Sequence, residues 1–344
     1  MLATSSVNLK QLATQLGVSS STVSRALRDS YEISSATRQR VQQLARQLDY
    51  QPNPIASNLR SSVSKTIGVI LPQVDNPFFA LAINGIEEEA QRNGYHVLIY
   101  LTHDKSEQEK QVAKFMTGGS VDGILLALAS GTRGVGHFDK LKQLGLPIVQ
   151  FDRVNDSLGT PTVTTDDYTS SYQATQHLLE AGCRTIAHLR LAECLSISSK
   201  RLQGYQAALH DHHIAFDPSL VLNGTNSSEE NVRRITHLLQ QRPTIDGIFA
   251  SVERLALNSY QACQALGITI PQQLKIIGFS NTETASLLAP SLSTITQPAH
   301  AIGKEAARIL LHALTKHRPV LPTQSVELKS ELIIRASTSK ATRK

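Results

Sequence analysis

From Lys65 onward, short β-rich apolar runs alternate with amphipathic stretches of helical period, and few architectures satisfy that alternation over so long a segment. The runs are Ile67-Gly68-Val69-Ile70-Leu71, His96-Val97-Leu98-Ile99, Gly123-Ile124-Leu125-Leu126, Ile148-Val149-Gln150-Phe151, Ile186-Ala187-His188-Leu189, Gly247-Ile248-Phe249 and Ile276-Ile277-Gly278-Phe279. Near-continuous apolar runs suit strands covered on both faces, and parallel neighbours need a crossover helix between them. The pattern predicts doubly wound parallel sheets, with Gly94, Gly145, Gly182 and Gly267 punctuating the helix ends.

An internal echo divides this region in two. Lys65-Thr66-Ile67-Gly68-Val69-Ile70 resembles Arg184-Thr185-Ile186-Ala187-His188-Leu189, and Val121-Asp122-Gly123-Ile124 resembles Ile245-Asp246-Gly247-Ile248. The two offsets nearly agree, which predicts two similarly built α/β lobes with a ligand cleft at the carboxyl ends of their strands and a hinge between them.

The first sixty residues obey another rule. Asn8 and Gln11 form a capping box, flanked by Val7 and Leu12 as a hydrophobic staple, so a helix begins at Leu9 with Leu9, Leu12, Ala13 and Leu16 on one face. Gly17 ends it, and Val18-Ser19 opens a second helix with Val18 stapled to Val23. A third stripe, Val41, Leu44, Ala45 and Leu48, follows the Ser34-Ser35 cap and supplies a face for the first two. Two short helices joined by a tight glycine turn with a third behind them make a helix-turn-helix, whose second helix enters the major groove. Its leading residues are Ser19, Ser20, Ser21 and Thr22, with Arg25 one turn on as the candidate to grip guanine bidentately.

This segment is also where the basic charge sits. The chain has 344 residues and a net charge of +6, and the first sixty hold seven Lys and Arg against three Asp and Glu, an excess of four. A polyanion partner suits that asymmetry, as does a merely solvated basic surface. Next comes Gln51-Pro52-Asn53-Pro54-Ile55-Ala56-Ser57-Asn58-Leu59-Arg60, in which Asn53 is a good N-cap and Pro54 fits the first helical position. So short a helix forms only when something packs against Ile55, Ala56 and Leu59, such as a second copy across a dimer axis; an ordinary tether is the alternative.

Other chemistries leave little trace. Cys183, Cys194 and Cys263 are odd in number and lack CxxC spacing, which points to reduced core thiols rather than disulfides or zinc. There is no GxSxG, HExxH or Walker loop, and Gly131-Thr132-Arg133-Gly134-Val135-Gly136 reads as a surface loop. His210, His212 and His213 fall near a helix end without a metal motif, and Asp166-Asp167 reads as a helix cap. No apolar run reaches the roughly 18 residues a membrane span needs, and the expected location is the cytoplasm. No metal, cofactor, membrane partner or catalytic residue is expected.

With these residues assembled, the chain resembles the lactose-repressor (LacI/GalR) family of transcriptional regulators from about Val7 to Ser337. The stretches that carry the resemblance are Leu12-Ala13, Gly17-Val18-Ser19, Thr22-Val23-Ser24-Arg25, Tyr50-Gln51-Pro52-Asn53, Ala56 to Leu59-Arg60, Asn76-Pro77-Phe78-Phe79, Val121-Asp122-Gly123-Ile124, Phe151-Asp152-Arg153, Arg201-Leu202-Gln203-Gly204-Tyr205, Gly278-Phe279, and Gln297-Pro298 after Leu292-Ser293-Thr294-Ile295. The resemblance implies an all-α helix-turn-helix DNA-binding domain over 1–50, a hinge helix and linker over 51–65, and an α/β two-lobed periplasmic-binding-protein-like domain over 66–338 for effector binding and dimerisation. Lobe 1 would span about 66–162 and 298–324, lobe 2 about 163–292 and 325–337, with 339–344 a basic tail.

The partners it implies are double-stranded, pseudo-palindromic operator DNA, a small-molecule effector such as a sugar or sugar derivative, and a second copy of the chain. A homodimer is the simpler expectation and a dimer of dimers, a tetramer, the other. Ser20, Ser21 and Arg25 match base-reading positions and Asn8 and Ser19 match phosphate contacts, with Thr22 and Ser24 counted beside them as DNA-binding residues; Asn53, Ile55, Ala56, Leu59 and Arg60 match the minor-groove hinge, with Leu59 intercalating. In the cleft, Phe78 and Phe79 match an apolar wall, with core packing the alternative, and Asp152 and Arg201 match polar effector contacts; Arg153, Glu253, Ser280 and Asn281 complete the candidate effector-binding set. The implied function is a repressor of carbohydrate-related genes; a solute-binding protein, or a regulator answering a non-sugar effector or a protein co-regulator, is the alternative.

This sequence departs from the family pattern in three places. Val252-Glu253 stands where Asn-Asp is common, Ser280-Asn281 where an aspartate usually grips ligand hydroxyls, and Arg190-Leu191-Ala192-Glu193 where the loop begins glycine-rich. Loss of a carboxylate at Ser280 predicts weaker bidentate recognition of hydroxyls, which leaves phosphorylated or acidic sugars in play beside neutral ones.

Overall fold

A computed structural model describes residues 7–27, 30–50, 63–191, 195–316 and 323–339. The chain divides into two compact units, residues 1–64 and 65–344.

The first unit is three short helices, α1 (Leu9–Leu16), α2 (Ser20–Leu27) and α3 (Ser35–Gln47), around Leu12, Ala13, Val23, Ala26, Val41 and Ala45. Its boundaries follow local chemistry. Asn8 Oδ1 accepts from the Gln11 amide at 3.0 Å while Gln11 Oε1 accepts from the Asn8 amide at 2.8 Å, so the capping box forms in both directions. Gly17 closes α1 at φ +66°, a left-handed conformation glycine adopts without cost. The expected hinge residues Asn53, Ile55, Ala56, Leu59 and Arg60 lie outside the described residues, as do Ala192, Glu193 and Cys194.

The second unit holds two six-stranded sheets. The first contains β1 (Thr66–Leu71), β2 (His96–Leu101), β3 (Gly123–Leu126), β4 (Ile148–Phe151), β5 (Thr162–Thr165) and β11 (Ser325–Leu328), all parallel, in the order β11-β5-β4-β3-β1-β2. The second contains β6 (Ile186–Arg190), β7 (Val221–Asn223), β8 (Gly247–Ala250), β9 (Lys275–Phe279), β10 (Ser293–Thr296) and β12 (Glu331–Ile333), in the order β12-β10-β9-β8-β6-β7, with only the edge strand β12 antiparallel. Strand for strand the two orders correspond, which is what the internal echo predicted. The echo has a physical origin: Asp122 Oδ2 accepts from the Lys65 amide at 2.8 Å, and Asp246 accepts from the amides of Arg184 and Thr185, so in each lobe the aspartate before the third strand fixes the entry of the first.

The lobe boundaries fall a few residues later than expected. β5 and β11 pair in register from Thr162↔Ser325 to Thr165↔Leu328, so 163–165 and 325–328 belong to the first lobe. Both strands are rich in Thr, Ser and Glu and offer no apolar run. The chain therefore crosses between lobes after Thr165, after Thr296 and between Leu328 and Glu331. Asp166 was expected to cap the next helix; instead its carboxylate accepts from the Ser330 amide and the Ser170 hydroxyl, each at 2.8 Å, tying two crossovers together.

Each lobe closes on a tight helix pair. In the first, α4 (Pro77–Arg92) crosses α11 (Ala299–Thr315) at Gly85 and Gly303; a Cβ on Gly85 would stand 2.0 Å from the His300 carbonyl oxygen, and one on Gly303 2.0 Å from that of Ala82. In the second, α7 (Asp167–Glu180) packs on α8 (Ser196–Asp211) beneath β6. Cys183 and Cys263 are buried with their thiols pushed up to about 12 and about 11 by burial, so both stay protonated. His210, His212 and His213 are exposed at the end of α8, and no metal-binding cluster occurs among the described residues. The loop at 131–136 is anchored more firmly than a surface loop: Thr132 is buried and donates to Glu109.

His188 is the anomaly of the second core. It is fully buried, stacked on Tyr205 and against Phe249, and neither ring nitrogen has a partner. Burial and then the charges of Arg190 and Arg201 push it down to about 3, so the ring is neutral in the folded protein. As pH falls from about 6.5 toward 3 the unfolded chain takes up this proton first, and stability is lost. His188→Leu is expected to stabilise the chain by about 1–3 kcal/mol at pH 7 by removing two unpaired polar atoms, and by about 2 kcal/mol more at pH 5. Thermal unfolding at both pH values measures this; a destabilised variant would mean that the ring's packing outweighs its unpaired nitrogens.

Candidate functional site

The carboxyl ends of both sheets open onto one cleft, the place where open α/β sheets hold small molecules. The first lobe contributes Asn76, Phe78 and Phe79 after β1 and Asp152 and Arg153 after β4. The second contributes Leu191 after β6, Ile197 and Arg201 on α8, Val252 and Glu253 after β8, and Phe279, Ser280 and Asn281 at the end of β9; Gln297 lies on the crossover. All eight cleft residues expected from the sequence, Phe78, Phe79, Asp152, Arg153, Arg201, Glu253, Ser280 and Asn281, thus stand around one cavity. Asn76, Leu191, Ile197, Val252, Phe279 and Gln297 are additions. Their common signal, a position one to several residues past a strand or at a crossover, becomes usable only once the strands are known.

Asn76 caps α4 by accepting from the Phe78 amide at 2.9 Å, which turns Phe78 and Phe79 into the wall as an edge-to-face pair. The two readings of these rings coincide, since both belong to the first lobe's core and both line the cleft. Over Phe79 lies the Arg153 guanidinium, 5.6 Å from the ring centre, with Nη1 donating to Asp104 Oδ1 at 2.7 Å. Asp104 also accepts from the amide and hydroxyl of Ser130, and so fixes the fork from behind. Asp104 and Asp152 both take left-handed backbone, at φ +58°, a conformation aspartate tolerates better than most residues. Burial raises the Asp152 carboxyl above its ordinary range, while Arg153, Arg201 and the Gln297 amide pull it back.

Arg201 is the most enclosed cation among the described residues. Its side chain is 2% exposed; Nε donates to Asp167 Oδ1 at 2.7 Å, Nη1 donates to the Ser251 carbonyl, and the guanidinium lies 3.6 Å from the centre of the Phe279 ring. Burial pushes Asp167 up to about 6, against the lowering pull of Arg201. Asp167 was expected to cap α7 and instead pairs with Arg201. Sequence reading missed both Asp104 and Asp167, because their arginines are 49 and 34 residues away.

The departures at 252–253 and 280–281 prove to be one arrangement. The Ser280 hydroxyl donates to Glu253 Oε2 at 2.8 Å while its oxygen accepts from the Thr282 amide, so the carboxylate absent at 280 is supplied from 253, the first residue of α10 (Glu253–Leu266). A carboxylate therefore stands at that wall although none is at 280. Asn281 Nδ2 donates to the Gln297 carbonyl, and Val252 leaves an apolar surface where an amide is common. Two further hydrogen bonds span the lobes: Arg254 Nη2 to Gln73 Oε1 at 3.2 Å, and the Val154 amide to Ser196 Oγ at 3.3 Å.

In the first unit, Asn8, Ser19, Ser21 and Arg25 are exposed, and Ser20, Thr22 and Ser24 are partly so. Ser19 Oγ accepts from the Thr22 amide at 3.1 Å and bonds the hydroxyls of Ser21 and Thr22, which caps α2. Arg25 forms an exposed ion pair with Glu32 at 2.9 Å.

Two family models match this chain: the LacI family of bacterial regulatory proteins over residues 8–53, and the periplasmic binding proteins and sugar-binding domain of the LacI family over 64–335. The chain belongs to the LacI family. It is 31% identical over 331 residues to a ribose operon repressor of Halalkalibacterium halodurans and 33% identical over 330 residues to the HTH-type transcriptional repressor CytR of Escherichia coli strain K12, covering 96% of each chain in both cases. A solved complex of the transcriptional regulator CelR with cellobiose is similar at a TM-score of 0.72 and 25% identity, over 96% of this chain and 99% of that one. A LacI family regulator from Enterococcus faecium with bound ribose matches at 0.70 and 26%, over 80% and 100%. This LacI-family chain is a DNA-binding transcriptional regulator with a two-lobed α/β domain behind its helix-turn-helix, and none of its described helices is long and apolar enough to cross a membrane.

Proposed function

We propose that this protein is a cytoplasmic repressor of carbohydrate-related genes, that it binds a pseudo-palindromic operator as a homodimer, and that a sugar-like effector held between its lobes sets operator affinity. The observation that carries the reading is the cleft, where an aromatic wall faces Asp152 and three paired polar groups, Arg153, Arg201 and Glu253, whose rotamers are fixed by neighbours rather than free. Ribose and cellobiose in two similar regulators support a sugar as the ligand. Asn76 and Gln297 would add neutral hydrogen bonds, and closure against the Gln73–Arg254 and Val154–Ser196 contacts would couple ligand to lobe geometry.

In the first unit, Ser20, Ser21, Arg25, Thr22 and Ser24 would read bases and Asn8 and Ser19 would hold phosphates, with Asn53, Ile55, Ala56, Leu59 and Arg60 in the minor groove. The dimer is supported by the edge strand β2, where Leu98 and Ile99 are each 43% exposed, and by exposed Leu81 on the neighbouring α4.

The test is to select bound DNA from a random pool with the full chain, then to titrate the selected site with neutral sugars at fixed salt. A palindromic site released or tightened by a sugar is the expected result. Selection of a site that no sugar affects would sink the effector half of the proposal and leave the DNA half standing.

A further inference from the structure

We propose that the cleft is built for an uncharged, hydroxyl-rich ligand and rejects its phosphorylated or carboxylated analogues, with Glu253 the residue that enforces the rejection. The inference rests on the reading of the cleft as an effector site and deepens it.

The argument is a charge inventory of the cavity. Two guanidiniums face it, and neither is free: Arg153 is bound to Asp104 at 2.7 Å and Arg201 to Asp167 at 2.7 Å, each pair almost fully buried. Both positive charges are therefore met within the protein. Two more carboxyl groups line the cleft, Asp152 and Glu253. Asp152 lies 4.0 Å from Arg153 Nε, an atom that already has its cation's charge shared with Asp104. Glu253 has no cationic partner among the described residues; it accepts only the Ser280 hydroxyl, at one of its two oxygens. The neighbouring cation, Arg254, points elsewhere, to Gln73 and to the Asn226 carbonyl, and Arg190 is bound to Asn223.

Among the described residues that line the cavity, each guanidinium is already matched by a carboxylate outside the lining, Asp104 or Asp167, whereas Asp152 and Glu253 face the cavity themselves. The unmatched charge of the lining is negative with Asp152 ionised, and Glu253 keeps it so with Asp152 protonated. A ligand anion entering this cavity meets arginines already neutralised and a carboxylate that is not, in a partly desolvated space where like charges repel strongly. A ligand rich in hydroxyl donors instead finds acceptors with spare lone pairs at Asp152 and Glu253. The Ser280 bond fixes the Glu253 rotamer, so the carboxylate cannot swing away without losing that partner. Had an aspartate stood at 280 as well, a second carboxylate would face Glu253 at hydrogen-bond distance; serine there is the complement that lets glutamate occupy the wall.

The experiment is calorimetric titration of the full chain with D-ribose and D-glucose, and in parallel with ribose 5-phosphate, glucose 6-phosphate and glucuronate. At least one neutral sugar is expected to bind, with its charged analogue weaker by about tenfold or more. Glu253→Gln keeps an acceptor for Ser280 and removes the charge, and is expected to narrow that ratio severalfold while the unliganded melting temperature stays close to wild type. A charged analogue that binds the wild type as well as its neutral parent overturns the inference, and so does a ratio that Glu253→Gln leaves unchanged, which would assign the discrimination to size. Binding of none of the five probes would overturn the sugar reading itself.

Discussion

Replacing Arg201 with leucine is expected to remove sugar binding altogether and to destabilise the chain by about 3–5 kcal/mol at pH 7.5, because it strands a buried carboxylate. The wild-type guanidinium satisfies the Asp167 carboxylate, the Ser251 carbonyl and the face of Phe279 at once. With leucine there, Asp167 has two ways out: to stay ionised and unpaired, or to take up a proton. The second is open because burial already pushes Asp167 up to about 6 with its arginine present, and the arginine's pull is then gone. The deficit should therefore shrink as pH falls toward 5, and Asp167→Asn combined with Arg201→Leu should recover part of it at pH 7.5. In the wild type, the raised Asp167 favours the folded state most below about pH 4 and loses that contribution as pH rises through about 6, opposing the trend set by His188 in the same window. Chemical unfolding of the wild type, Arg201→Leu, Asp167→Asn and the double variant at pH 5 and 7.5 measures each statement. A single variant as stable as wild type at pH 7.5 would show that the pair contributes nothing net, as some buried pairs do.

What the sequence disclosed and what it withheld divide along the range of the interactions involved. The capping box at Asn8 and Gln11, the glycine turn at Gly17 and the seven apolar strands are local, and each was legible from a few consecutive residues. β5 and β10, by contrast, are Thr162-Val163-Thr164-Thr165 and Ser293-Thr294-Ile295-Thr296, whose side chains are nearly all buried but mostly polar. They lie where the chain passes between lobes and hydroxyls bond across the crossovers, as Thr165 does with Ser330. Periodicity cannot see such strands, so the lobe boundaries slipped by a few residues. The cleft's arginines were legible through family resemblance, but their aspartates were not, since only the topology brings Asp104 to Arg153 and Asp167 to Arg201. The clearest case is Glu253 with Ser280. Read along the chain they are two separate departures that weaken recognition; in space they are donor and acceptor of one hydrogen bond, and together they keep a carboxylate at the wall.

Arg25→Ala is expected to erase most of the discrimination between the selected operator and random DNA while leaving the non-specific affinity nearly intact. Arg25 projects from α2 one turn beyond the exposed hydroxyls of Ser19 and Ser21, and those hydroxyls already bond one another around the helix cap. The hydroxyls can accept from or donate to several base edges, whereas a guanidinium fork on guanine discriminates by about 1–3 kcal/mol. In a two-fold symmetric complex the residue acts twice, so the loss is about 2–6 kcal/mol, or roughly 30-fold in the operator-to-random ratio at the low end. In the free protein Arg25 is paired with Glu32 at 2.9 Å, both side chains being about half exposed. A surface pair of this kind is worth at most about 1 kcal/mol, so it presents the arginine without locking it away from DNA. Glu32→Gln should then raise operator affinity slightly, with the gain shrinking at high salt. Titrations of wild type and both variants against operator and scrambled DNA, over a series of salt concentrations, separate the terms. A base-reading Arg25 lowers the specificity ratio with little change in salt slope, whereas an Arg25 that only touches phosphate lowers both affinities together and reduces the slope by about one per subunit.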